Sequence, residues 1–208
     1  AEQRVIQPLS PLPAVPADPT NRYADDARAA LLGQKLFFEK SYSGPLSVGD
    51  DGGNGGLGKV GDRGKVACHS CHGVGGAPLD DQRSHPNSVS LGTDFGPRNA
   101  IGLLNSAFGK WTNWGGRFDS QWSLPLSVAE NPKIMKSTRL DVVHMFWNKY
   151  RTEYNALFPV ALDPALDPAA ADAARFPASG KPKAAPTDPD GAWEGMAPAD
   201  REIVNTIY

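Results

Sequence analysis

The chain has 208 residues, 40% of them apolar, and a formal charge of −2 at pH 7, enough for one ordinary core or one small domain with long appendages. No stretch reaches the roughly 18 continuous apolar residues of a membrane span, and no lysine- or arginine-rich face suggests nucleic acid or an anionic membrane. The 22 glycines and 19 prolines put much of the chain in loops, with short helices as the remaining regular structure.

Residues 1–23 read as an extended arm, because Pro8, Pro11, Pro13, Pro16 and Pro19 remove amide donors too often for helix or central strand. Ala1-Glu2-Gln3 carries no charged, apolar-core leader, which fits a mature chain whose secretion signal has been removed. Over residues 25–38, Ala29, Leu32 and Leu36 recur at the spacing of a helix with one buried stripe.

Residues 44–64 contain nine glycines with Asp50, Asp51, Asn54 and Asp62, the composition of a flexible loop. Gly53-Asn54-Gly55-Gly56-Leu57-Gly58 matches a dinucleotide fingerprint, and the run to Lys59 nearly matches a phosphate loop. Neither follows a strand or opens a helix, and Val60 replaces the hydroxyl that would hold magnesium, so a surface loop is the better reading. The acidic residues lack the spacing of an EF-hand.

The loop leads into Cys68-His69-Ser70-Cys71-His72, which holds both cysteines of the chain. A redox dithiol, half of a zinc site and a haem attachment site all use C-x-x-C. A redox pair needs a strand-to-helix setting and no following histidine, and a zinc site needs a second ligand pair that no other cysteine supplies. C-x-x-C-H is the attachment signature of a c-type haem, with His72 as one axial ligand of the iron. Covalent haem attachment is extracytoplasmic in bacteria, so the expected compartment is the periplasm.

Residues 73–97 are again loop-rich, and residues 99–108 form a short apolar segment suited to covering a haem edge. Residues 137–158 read as a helix capped by Ser137, with Leu140, Val143, Trp147, Tyr150 and Tyr154 along one face. From Pro159 to Pro198, eight prolines among alanines and aspartates read as a linker or wrapped arm that cannot pack tightly. Residues 199–208 then open a helix, with Ile203 and Ile207 four apart, too short to stand alone and expected to pack on, or continue into, something outside this sequence.

Five motifs fall in one order: Leu32-Gly33-Gln34-Lys35-Leu36-Phe37-Phe38, the haem box, Gly96-Pro97-Arg98-Asn99, Trp114-Gly115-Gly116-Arg117, and Asn131-Pro132-Lys133-Ile134-Met135. This order resembles the N-terminal haem domain of the bacterial dihaem cytochrome c peroxidases, a family that includes the dihaem enzyme maturing methylamine dehydrogenase. The resemblance implies a mostly α, cytochrome c-like haem domain over residues 24–158 with long loops, proline-rich arms and little or no sheet. It also implies a linker over 159–198 and a helix from 199 leading to a second domain, or a separate chain, that carries a second haem c.

By the same resemblance the haem of this chain is the peroxidatic one, reducing hydrogen peroxide with electrons from a small cytochrome or cupredoxin. A second copy of the chain is a further candidate partner. Trp114 matches a tryptophan that bridges the two haems, and Asn99 matches a side chain that helps hold calcium at the domain boundary, the other ligands coming from the second half. Arg98 and Arg117 are candidates for the haem propionates, which favour guanidinium forks.

The catalytic positions depart from the pattern. Thr93 stands where the family has a removable distal histidine, and His85 is the nearby substitute. The family's catalytic glutamate falls on Ile134 and its partner glutamine on Leu124, leaving Glu130 as the nearest alternative carboxylate. His69 should point away from the porphyrin, while His144, Met135 and Met145 sit where core roles outweigh iron ligation. Two functions follow: a peroxidase-like enzyme, weakened by the lost acid–base groups, or an electron-transfer cytochrome that needs none.

Overall fold

A computed structural model describes residues 13–49, 57–73 and 89–208. His85, the first part of the N-terminal arm and most of the dinucleotide-like fingerprint lie outside these residues. The described residues form four α-helices, α1 (Ala27–Phe38), α2 (Ser123–Glu130), α3 (Arg139–Leu157) and α4 (Pro198–Ile207), joined by loops and four short 3₁₀ turns. They hold no strand, only the isolated antiparallel bridges Leu91–Phe95 and Thr112–Phe118. The protein is a mostly α, cytochrome c-like domain.

Asp26 sets the start of α1 by accepting the Arg28 amide at 2.8 Å, two residues inside the predicted boundary. The predicted stripe faces inward, with Leu32 buried and Ala29 and Leu36 half-buried. α1 packs on α3 and on the Cys68–Ser70 turn, so the first helix seats the haem box against the longest one.

α3 begins one residue later than predicted, because Thr138 rather than Ser137 caps it. The Thr138 hydroxyl accepts the Asp141 amide at 3.2 Å, and the Asp141 carboxylate accepts the Thr138 amide at 2.9 Å. Leu140, Val143 and Tyr154 of the predicted stripe are buried, and Trp147 and Tyr150 flank the core. The helix kinks at Tyr150 (φ −129°, ψ 19°), whose hydroxyl donates to Glu39 at 2.8 Å.

The sequence offers no expectation of α2, which carries Pro125 where a missing amide costs a first turn nothing. One expectation for the C-terminal quarter is corrected. The proline- and alanine-rich segment after Pro159 packs tightly: Leu162, Leu166, Phe176, Trp193 and Met196 are all buried in the common core. Its prolines restrict the unfolded chain, which lowers the cost of ordering it. Its Asp163 caps a turn at Ala165, and Arg175 forks to Asp163 at 3.1 Å and Asp200 at 2.7 Å. α4, expected to pack on, or continue into, something outside the sequence, packs on α3 through Val204 and Ile207. Pro198 at its first turn and the Asp200–Arg175 pair give it the support its length does not.

Glu39, at the end of α1, ties these parts together. Its carboxylate accepts the Ser41 amide at 2.7 Å, the Lys149 ammonium at 2.9 Å and the Tyr150 hydroxyl. Burial alone would raise its pKa, but these bonds outweigh burial and bring it down to about 2 from 4.5. A carboxylate lowered in the folded state stabilises fully above its unfolded pKa and loses that contribution as pH falls through the folded value. Glu39→Gln should therefore cost about 1–3 kcal/mol at pH 7. In urea titrations the gap between the two proteins should close between pH 4.5 and about 2. A gap independent of pH would contradict this account of the knot.

Candidate functional site

The chain enters the haem box through backbone bonds to one buried serine. The Ser43 hydroxyl accepts the Lys65 and Val66 amides at 3.0 and 3.1 Å, and its carbonyl accepts the Gly64 amide. Val66 and Ala67 are buried, and the Ser70 hydroxyl accepts the Ala67 amide at 3.0 Å, closing the Cys68–Ser70 turn. The turn continues with the His72 amide donating to the Cys68 carbonyl at 3.0 Å.

His72 is half-buried, and its Nδ1–H donates to the Ile101 carbonyl at 3.1 Å. A carbonyl can only accept, so Nδ1 carries the proton and Nε2 keeps its lone pair, the tautomer a metal-ligating histidine needs. Burial lowers the His72 pKa against the opposing pull of the Ile101 carbonyl, which favours the neutral ring. Cys71 is buried, with its thiol directed to the Leu91 carbonyl. Burial pushes the pKa of the Cys68 thiol up. Both cysteines carry thiols rather than a disulfide.

Cys71 and His72 open onto a cavity of about 490 Å³, within the range of cofactor pockets. Its walls come from residues 97–103, from residues 111–117 and from α2. The predicted apolar cover contributes Ile101 and Leu103, and the rim carries Trp111 and Trp114 with their indoles more than half exposed. Trp114 is thus a rim residue rather than a core aromatic, held by its Nε1–H donating to the Asn99 carbonyl at 2.7 Å.

Arg98 and Arg117 both line the cavity, and among the described residues neither guanidinium has a carboxylate partner; Arg117 rests over the Phe118 ring. No aspartate or glutamate is among the described lining residues. The positions where resemblance places the catalytic pair, Leu124 and Ile134, do face this cavity, and they present hydrocarbon to it.

The alternatives lie elsewhere. Glu130 does not line the cavity; its carboxylate pairs with Arg139 at 3.0 Å. Thr93 is wholly buried, with its hydroxyl donating to the Pro132 carbonyl at 3.3 Å. His69 packs on Phe38, His144 bonds the Pro177 carbonyl, and Met135 and Met145 are buried in the core. The Asn99 carboxamide oxygen accepts from the Ser90 hydroxyl and the Ala100 amide, and no cluster of three or more metal-binding side chains occurs among the described residues.

Gln121 is a cavity residue that sequence reasoning missed. It sits one turn before Leu124, and its amide donates to the Ser106 carbonyl at 2.8 Å. It lies two residues before α2, so no helical spacing in the sequence links it to Leu124.

The donor set fits a covalent c-type haem. An oriented neutral imidazole and a thiol share one wall, the second thiol begins the same turn, the walls mix apolar with uncharged polar side chains, and the charged groups are cations suited to propionates. The model of the di-haem cytochrome c peroxidase family matches residues 27–181. The chain belongs to that family. No match was found among curated proteins, and none among solved structures. As a dihaem peroxidase family member it is a haem-binding oxidoreductase by kind, and no helix among its described residues is long and apolar enough to cross a membrane.

The cavity face of Ile134 depends on Gly92, where an added Cβ would lie 2.3 Å from the Ile134 carbonyl oxygen. Gly92→Ala should destabilise the protein by about 3 kcal/mol, through overpacking against rigid backbone. Urea denaturation checks this, and a cost below about 0.5 kcal/mol would show that the loops do not meet so closely.

Proposed function

We propose that this chain is a periplasmic c-type haem protein whose cavity is the peroxidatic side of a dihaem architecture. It would reduce hydrogen peroxide, or carry out a related haem oxidation, with electrons from a small cytochrome or cupredoxin. The observation that carries the reading is the His72 ring, fixed by the Ile101 carbonyl on the wall of a cavity that Cys71 shares. A haem bound there supplies an iron centre able to activate peroxide or to pass electrons.

The chain's own residues have distinct tasks. Cys68 and Cys71 would hold the haem covalently, Ile101 orients His72, and Arg98 and Arg117 would neutralise its propionates. Trp111 and Trp114, exposed beside the cavity, suit the approach of a second haem domain or a redox partner. Extracytoplasmic haem attachment supports the periplasmic location.

A second reading, an electron-transfer cytochrome without peroxidase activity, is favoured by one observation: Leu124 and Ile134 leave the cavity without an acid–base carboxylate among the described residues. The visible spectrum of the oxidised protein separates the two. A high-spin haem that changes on adding peroxide supports the enzyme; a low-spin spectrum indifferent to peroxide supports the carrier. Because a positioned acid–base group contributes roughly 10²–10⁴-fold, Ile134→Glu should speed peroxide consumption by at least about tenfold. An unchanged rate in a folded, haem-loaded variant would contradict the placement of Ile134 beside the reacting site.

A further inference from the structure

The wall of the cavity formed by α2 is weakly packed and strongly tethered. Leu124, Ser127 and Val128 face the cavity, and Ala129 is the one residue of the helix that is buried. Its start has no side-chain cap. From Leu126 onward, by contrast, three of its carbonyls are held by groups outside the helix. The Tyr208 hydroxyl donates to the Leu126 carbonyl, the Ser137 amide to the Ala129 carbonyl at 2.9 Å, and the Lys181 ammonium to the Glu130 carbonyl at 2.7 Å. These are backbone acceptors that a helix C-terminus leaves unsatisfied or weakly used, and a cation is favoured there by the helix dipole.

One arginine joins the tethers. Arg139 pairs with the Glu130 carboxylate, bonds Asn205 of α4, and lies with its guanidinium over the rings of both Trp193 and Tyr208. At the other end of α2, Trp122 donates its Nε1–H to the Thr20 hydroxyl of the N-terminal arm at 3.0 Å. Segments from both ends of the described chain therefore converge on one short helix, and that helix is a wall of the cavity.

We infer that α2 is a movable wall of the cavity, pivoting about its clasped C-terminal end, and that Tyr208, Lys181 and Thr20 are positioning residues that set how readily small ligands reach the iron. The inference rests on the haem reading above. Two features make motion cheap: few apolar contacts hold α2, and its fastenings are single hydrogen bonds, exposed at Trp122 and half-buried at Leu126 and Glu130. Because Tyr208, Asn205 and the Arg175–Asp200 pair all belong to α4 or bind it, anything that shifts α4 shifts the clasp.

The test uses the haem-loaded chain with Thr20→Val, Lys181→Met and Tyr208→Phe. Hydrogen exchange over residues 123–130 reads the fastening, and cyanide binding to the oxidised protein reads access to the iron. Each variant should speed exchange there about fivefold, the weight of one ordinary hydrogen bond, with α3 unchanged, and speed cyanide binding by a similar factor. Exchange that is unchanged, or that rises equally in α3, would overturn the wall as a separately moving unit. Faster exchange with an unchanged cyanide rate would overturn its control of access. If Tyr208→Phe fails to fold, Thr20→Val and Lys181→Met decide. A chain that takes up no haem defeats the haem reading and the access claim together, while exchange still reads the clasp.

Discussion

The cavity side of this protein is held by loop backbones that approach one another more closely than side chains would allow. At Gly44 an added Cβ would lie 1.9 Å from the Lys136 carbonyl oxygen, and at Gly92 it would meet Ile134 backbone. The contacts are hydrogen-bonded: Gly44 to Met135 at 2.8 Å, Thr93 to Ile134 at 2.7 Å, Asp94 to Lys133 at 3.0 Å and Ser47 to Thr93 at 2.7 Å. In a chain with no sheet among its described residues, these bonds do what a ladder does elsewhere, satisfying buried backbone groups while fixing which way side chains face.

From that junction the rest of the site follows. Residues 43–47 run back to the haem box through Ser43, and forward to the 91–96 loop, whose Leu91 carbonyl receives the Cys71 thiol. Residues 131–137 turn Ile134 to the cavity and Met135 to the core before handing over to the capped start of α3. The haem box is thus a short turn suspended between α1, the glutamate knot and the glycine junction. Its rigidity is borrowed from loops. The opposite wall, α2, has no such glycine junction and is held by one backbone bond from Ser137 and by side chains reaching in from both arms.

The legible parts of the fold were those with a local cause. Leu32 and Leu36 announced α1, and the stripe from Leu140 to Tyr154 announced α3, because helical periodicity is written within one element. Cap positions moved by a residue or two, where Asp26 and the Thr138–Asp141 pair decided the boundary. α2 was hidden because eight residues interrupted by Pro125 show too little periodicity. The 159–198 segment misled because composition averages over every residue, whereas Leu166, Phe176 and Trp193 act as separate anchors in pockets that only the folded chain creates. At the site, the haem box and His72 were readable as chemistry. The Ile101 carbonyl, the Ser43 bonds and Gln121 were not, since each depends on a distant backbone position. Leu124 and Ile134, the positions onto which the resemblance sets the family's acid–base pair, both line the cavity, a relation that no periodicity in this sequence would reveal.

The most direct measurement is the alkaline pyridine spectrum of the purified, reduced protein, run beside an intact mass under denaturing conditions. The account predicts one c-type haem that stays with the polypeptide, and its loss as covalent pigment when Cys68 and Cys71 are both replaced by alanine. A native protein with no haem, or with haem that dissociates on denaturation, would contradict it.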